Sequence, residues 1–192
     1  ILDLKCVTLH TIMINIVALV QVKAFARQEG LFLALLWVAS FLLMVRIPSS
    51  SWGSLLALST PFFVGWRLIS FRDKALQGAI SFRRGLAFSC YTFFYASLIF
   101  AVTQYLYFRY FDHGAMLSML NSNVATMQEA YKASGMTDTE TLQYMKDGME
   151  VIGMMPPIQI VFVFMMQNLL IGFLLSLPIA WFCKKKHAQL SN

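Results

Sequence analysis

The side chains best suited to chemistry lie in a basic stretch, residues 67–85, between two long apolar runs. Five of the 15 Lys and Arg residues of the chain fall within it. An arginine guanidinium offers a two-pronged set of donors that matches phosphate oxygens, and a lysine adds a point charge. The stretch is therefore a candidate site for a lipid phosphate or a partner protein. Its cations are Arg67, Arg72, Lys74, Arg83 and Arg84.

The simpler explanation of the same stretch is topological. Lys and Arg resist translocation, so loops that are rich in them stay on the cytoplasmic side of a membrane. This bias alone would produce such a cluster. We therefore expect the stretch to be cytoplasmic, and its role in binding is a hypothesis.

Three amide side chains interrupt apolar runs further along the chain: Gln104, Gln167 and Asn168. In lipid, an amide of this kind commonly bonds to a neighbouring helix and contributes about 0.6 to 2 kcal/mol. We predict helix–helix polar contacts at these positions. The alternative is a groove for a lipid substrate, which the amides could line only if they face one another.

Patterns typical of metal or catalytic sites are missing. The three cysteines are far apart in sequence and include no CxxC, and the three histidines form no HExxH motif: Cys6, Cys90, Cys183, His10, His113 and His187. There is also no GxSxG and no glycine-rich phosphate loop. The apolar runs lack the interior Asp, Glu, Lys and His on which proton relays and ion pathways depend. The sequence therefore predicts no metal, no cofactor and no enzymatic activity.

Composition indicates an integral membrane protein with one domain. Hydrophobic residues make up 58% of the 192 residues and charged residues only 12%, whereas soluble proteins are roughly a quarter charged. The net charge of +6 is spread beside the apolar runs and does not form one soluble basic face. This distribution excludes nucleic acid as the natural partner and favours anionic membrane lipids.

The apolar runs predict four transmembrane helices, at residues 28–46, 52–71, 84–111 and 156–183. Glu29 is expected at the head groups where the first span begins. Pro61 lies in the middle of the second span and should bend it, because proline removes one backbone hydrogen bond. Lys23 before the first span and the lysines at 184–186 after the last predict that both termini are cytoplasmic.

The remaining segments flank or connect these spans. Residues 1–22 are predicted as an N-terminal extension or an interfacial helix, and residues 188–192 as a cytoplasmic tail of the 23–187 membrane domain. The loop at 112–155 has six acidic residues and two lysines, which suits the outside. Its apolar residues recur at spacings of three and four, so we predict two amphipathic helices with a break at Ser134–Gly135. The predicted fold is an all-α polytopic membrane protein.

Four short motifs carry a family resemblance: residues 23–27 (KAFAR), 71–73 (FRD), 80–85 (ISFRRG) and 172–178 (GFLLSLP). From about residue 23 to residue 187 the chain resembles a bacterial inner-membrane family catalogued as domain of unknown function 4199. The resemblance implies the same four-span plan with an acidic loop before the last span. Residues 1–22 depart from the family, whose members usually begin just before the first span. The family has no assigned activity, so the resemblance supplies no catalytic residues.

The resemblance does imply a partner. Members of this family are often encoded beside a family-2 glycosyltransferase of the polyprenyl-phosphate type, whose lipid carrier has a phosphate head group. The leading hypothesis is therefore a non-catalytic subunit that binds and anchors such an enzyme through its basic stretch. The alternative is a flippase for lipid-linked substrates or a small transporter.

Overall fold

The structure, a computed structural model, describes residues 2–47, 50–112, 114–133 and 139–185. Seven helices occupy this part of the chain: α1 (Leu2–Arg46), α2 (Trp52–Leu58), α3 (Thr60–Ala75), α4 (Phe82–Tyr110), α5 (Ala115–Ala133), α6 (Thr139–Met154) and α7 (Pro157–Cys183). These residues contain no strand, only an isolated bridge between Ile80 and Lys185. The predicted all-α class is confirmed.

Three helical segments are long and apolar enough to cross a membrane: Leu19–Arg46 of α1, α4 and α7. The α2–α3 pair gives a fourth if the two helices form one bent span. The chain is therefore a multi-pass membrane protein. α1 is continuous over 45 residues, so the segment at 2–22 extends the first span without a break.

The bend predicted near Pro61 is present, with an angle of 42° between α2 and α3. Because Pro61 has no N–H, the helix loses one hydrogen bond at this point. Next to it, the hydroxyl of Ser59 donates to the carbonyl of Leu56 at 2.7 Å. Thr60 accepts a hydrogen bond from the indole of Trp37 at 3.0 Å, which ties the bend to α1.

The connector after α3 is shorter than the sequence predicted, because α3 continues to Ala75 and α4 already begins at Phe82. Arg72 and Lys74 therefore lie in the last helical turn, where cations interact favourably with the helix dipole. The backbone reverses at Gln77 and Gly78, which have φ angles of 53° and 83°. Ser81 then caps α4 by accepting from the backbone N–H of Arg84.

α4 lies at the centre of the bundle and packs on both α1 and α7. Later residues of α1 contact later residues of α4: the ring of Trp37 packs on Phe100, and that of Phe41 packs on Tyr107. α1 and α4 are therefore parallel. α7 is antiparallel to them, since Gly172 faces Phe93 and the later Ala180 faces Gly85. The connector at 76–81 and the end of α7 consequently lie at one end of the bundle, which we call the basic end.

The region before α7 contains the two predicted helices, α5 and α6, which pack on each other. The groove between them is lined by residues that include Asn121, Val124 and Glu150. The predicted break at Ser134–Gly135, the tail at 188–192, His113 and His187 lie outside the described residues.

Candidate functional site

The basic end is assembled from two segments that are far apart in sequence. The backbone N–H of Ile80 donates to the carbonyl of Lys185 at 2.8 Å, and the N–H of Lys185 donates to Ile80 at 3.1 Å. This bridge fixes the end of α7 beside the connector. As a result, the exposed side chains of Lys184 and Lys185 join those of Lys74 and Arg83 on one surface.

α1 adds two exposed cations, Lys23 and Arg27, near the same end. The ammonium of Lys23 lies 5.3 Å from the ring centroid of Tyr91, which holds this part of α1 against α4. The ammonium of Lys184 lies 3.3 Å from the ring centroid of Trp181. Aromatic rings therefore position two of the lysines while leaving both exposed.

Arg72 and Arg84 are held by side-chain hydrogen bonds to other parts of the bundle. Arg72 donates to the carboxylate of its neighbour Asp73 at 2.7 Å and to the carbonyl of Cys183 at 3.1 Å. Arg84 is partly buried and donates to the side-chain oxygen of Gln21 at 2.8 Å. These two arginines join α3 to α7 and α4 to α1.

Arg67, predicted as part of the binding stretch, lies elsewhere. It forms a two-pronged ion pair with Glu29 of α1, and the side chains are only 23% and 10% exposed. The guanidinium carbon also lies 5.3 Å from the ring centroid of Phe32 and 5.4 Å from that of Trp66. Arg67 is separated from the basic end because α3 continues for two further turns beyond it.

Glu29 is correspondingly buried between helices, whereas the sequence suggested the head-group region. Its partner Arg67 lies eight positions before the end of α3, which corresponds to about 12 Å along the helix axis. The sequence did contain evidence for this ion pair. Arg67 is the one charged residue in the apolar run at 52–71, and an arginine within a span requires a partner. An ion pair thus lies within the bundle.

The charge balance of the basic end favours an anionic partner. The carboxylate of Asp73 at this end is already paired with Arg72, and Glu29 is paired with Arg67 deeper in the bundle. The described part of the chain provides no carboxylate partner for the exposed cations of this surface, which are Lys23, Arg27, Lys74, Arg83, Lys184 and Lys185. Such a surface attracts phosphate groups or acidic side chains.

The three predicted amide contacts are not brought together. Gln104 is buried on α4, and its side-chain oxygen has no hydrogen-bond partner among the described residues. Gln167 is exposed on α7, whereas its neighbour Asn168 is partly buried and lines a cavity. Two other interhelical hydrogen bonds involve hydroxyl groups: Thr60 accepts from Trp37, and Ser40 donates to the carbonyl of Gly53.

The described residues contain no group of three or more His, Cys, Asp or Glu that could hold a metal ion. Cys90 and Cys183 are free thiols, and Cys183 lies 3.8 Å from the carbonyl oxygen of Gly65. The charged surface at the basic end is therefore the candidate site that the geometry supports best.

The family model described as "Protein of unknown function (DUF4199)" matches residues 28–185. No curated protein and no solved structure matches the chain. The matched residues begin within α1, end at the bridge residue Lys185 and include every helix from α2 to α7. The chain therefore belongs to the DUF4199 family of proteins of unknown function.

Proposed function

We propose that the chain is a non-catalytic accessory subunit of the bacterial inner membrane that binds and anchors a partner through its basic end. The observation that carries this proposal is the backbone bridge between Ile80 and Lys185. It adds the cations at the end of α7 to those beside the connector. The two segments together form a larger cationic surface than the connector alone provides.

The charge of this surface supports a partner that carries phosphate groups. Six exposed cations without a carboxylate partner in the described chain favour phosphate-bearing groups at a membrane surface. Each exposed Lys or Arg near an anionic membrane surface contributes about 1 kcal/mol of attraction. The partner we expect is a family-2 polyprenyl-phosphate glycosyltransferase, which works beside a lipid phosphate on the cytoplasmic leaflet.

The proposed orientation treats α2 and α3 as one bent span, which gives four spans. The basic end then faces the cytoplasm together with both termini, as the positive-inside rule requires. α5 and α6, with the acidic residues Glu129, Glu140 and Glu150, face the opposite side. The partner would therefore bind from the cytoplasm.

A charge-removal variant tests the binding surface. We expect the triple substitution Lys74→Gln, Arg83→Gln and Lys185→Gln to reduce recovery of the glycosyltransferase during affinity purification from native membranes. These three side chains are exposed, so their loss should leave the bundle intact. At about 1 kcal/mol per cation, losing three would weaken the attraction of this surface to an anionic membrane surface by roughly two orders of magnitude.

The matched control removes three exposed cations from outside the basic end: Arg46→Gln, Arg109→Gln and Lys146→Gln. It has the same net charge as the test variant and should retain the partner. The proposal is wrong if the unsubstituted protein recovers no glycosyltransferase. Equal recovery by both triple variants would assign the basic end a topological role only.

A further inference from the structure

A cavity of about 410 Å³ lies inside the bundle beside the bend between α2 and α3. Each of the four membrane segments contributes to its wall. The residues that matter here are Trp37, Ser40, Ala57, Thr60, Phe100 and Asn168. Its volume falls within the range of small-molecule sites, which lie commonly between the helices of bundles.

The bend explains why the cavity exists. α2 is held closely against α1, because Gly53 approaches the backbone of Ser40 and Met44. α3 then departs at 42° and packs on α4 and α7. The space left between α2 and α7 is bordered by Leu58 and Ile171, which are 69% and 43% exposed. The cavity therefore opens sideways, toward the lipid.

The wall is mostly aromatic and aliphatic, with three polar side chains. Two of these are already engaged: Ser40 donates to Gly53, and Thr60 accepts from Trp37. The amide of Asn168 makes no hydrogen bond in the described part of the chain and lines the cavity. A polar group in lipid without a partner is costly, so an occupant that bonds to this amide would be stabilised.

The depth of Asn168 limits the chemistry of that occupant. The residue lies 15 positions before the end of α7, which is about 22 Å along a helix of 27 residues. A charged head group would be expensive at this depth. The occupant is therefore uncharged, and it enters from the bilayer.

We infer that this cavity binds one uncharged lipid-soluble molecule, with a slim apolar body and a carbonyl or hydroxyl oxygen that hydrogen-bonds to Asn168. The walls around Trp37 and Phe100 contact the apolar body. The inference is independent of the function proposed for the basic end, whose partner carries negative charge.

Trp37 provides a reporter for the test. Substitution of Trp52, Trp66 and Trp181 by Phe leaves it as the sole tryptophan, and all three replaced side chains are at least 59% exposed. The protein in lipid nanodiscs is titrated with a brominated long-chain ketone and with a brominated alkane of equal length. We expect saturable quenching of Trp37 by both probes, with the ketone binding about threefold to tenfold more tightly, the value of one hydrogen bond.

Two substitutions identify the site. Asn168→Leu should abolish the preference for the ketone, and Ala57→Phe should fill the mouth and prevent saturation by either probe. Leu170→Phe adds bulk on a lipid-facing position of α7 and should change neither result. Quenching that rises without saturation, or that Ala57→Phe leaves unchanged, would overturn the inference. A ketone preference that persists in Asn168→Leu would overturn the role of the amide.

Discussion

The ion pair between Glu29 and Arg67 connects the first and third helices within the bundle. Burial of two charges is costly, and only good geometry and additional contacts compensate for it. Here both carboxylate oxygens accept from the guanidinium, and the rings of Phe32 and Trp66 lie beside it. The pair therefore links α1 to α3, and Arg67 is not free to bind a phosphate.

At this scale we predict that replacing one member of the ion pair destabilises the protein more than replacing both. Glu29→Gln or Arg67→Gln leaves one buried charge without its partner and should lower the free energy of unfolding by about 3 kcal/mol, the lower end for buried pairs because Arg67 is partly exposed. Replacing both residues together, with Glu29→Leu and Arg67→Met, should restore most of this loss. Thermal unfolding in detergent measures the difference.

Arg83→Gln is the control, because this side chain is exposed and should tolerate the loss of charge. If the double variant is as unstable as the sum of the single variants, the two residues are not coupled and the pair has no role in alignment.

Helix packing at the scale of elements depends on small residues between α4 and α7. Gly172, Ser176 and Ala180 recur every four positions on α7, and Gly85 of α4 lies against Ala180. A Cβ atom at Gly172 would lie 2.7 Å from the Cβ of Phe93, which is a steric clash. Because a Cβ atom is fixed to its backbone, only movement of the helices apart would remove the clash. The close approach of these helices therefore requires glycine at this position.

We expect Gly172→Ala to destabilise the protein by about 1 to 3 kcal/mol, the cost of overpacking a well-packed interface. Gly65→Ala is the matched control, because no atom lies within 4 Å of the added methyl group. It should stabilise α3 by about 0.5 to 1 kcal/mol through helix propensity. Thermal unfolding in detergent measures both effects. Equal shifts of the unfolding midpoint temperature by the two substitutions would contradict the close packing of α4 on α7 at Gly172.

At the scale of the whole molecule, charge divides the bundle into two unlike ends. The connector and the end of α7 carry the exposed lysines and arginines, whereas Asp112, Glu129 and Glu150 belong to the region between α4 and α7. The parallel arrangement of α1 and α4, with α7 antiparallel to both, is compatible with both termini on the side of the connector. Four spans with cytoplasmic termini remain our prediction.

Cysteine labelling tests this topology. In a background without Cys6, Cys90 and Cys183, a membrane-impermeant maleimide should label Gln143→Cys in intact cells. It should label Lys74→Cys only after the membrane is opened, because the positive-inside rule retains the connector in the cytoplasm. Both positions are exposed, so that access to reagent is the variable measured. Labelling of the two from the same side would exclude the proposed orientation.

Much of the fold could be predicted because lipid restricts the solutions. A span must be helical to satisfy its backbone hydrogen bonds, so the apolar runs predicted α1, α4 and α7, and Pro61 predicted the bend. Apolar spacing similarly predicted α5 and α6. The predicted boundaries of the connector were less accurate. A helix can continue beyond its apolar residues, as α3 does to Ala75, and hydropathy does not show where such a polar turn ends.

The candidate site was predictable only in part. Lys74 and Arg83 could be recognised from their types and their position beside the spans, because charge next to an apolar run is a property of sequence. The pairing of Arg67 with Glu29, the arrival of Lys185 beside Ile80 and the cavity at Asn168 each join residues that are distant in the chain. Hydropathy places a residue along one helix axis but does not give its rotation toward a neighbour. The sequence by itself therefore determined the class of protein, its helices and its charged end, whereas the tertiary structure decided which charges are neutralised and which remain available.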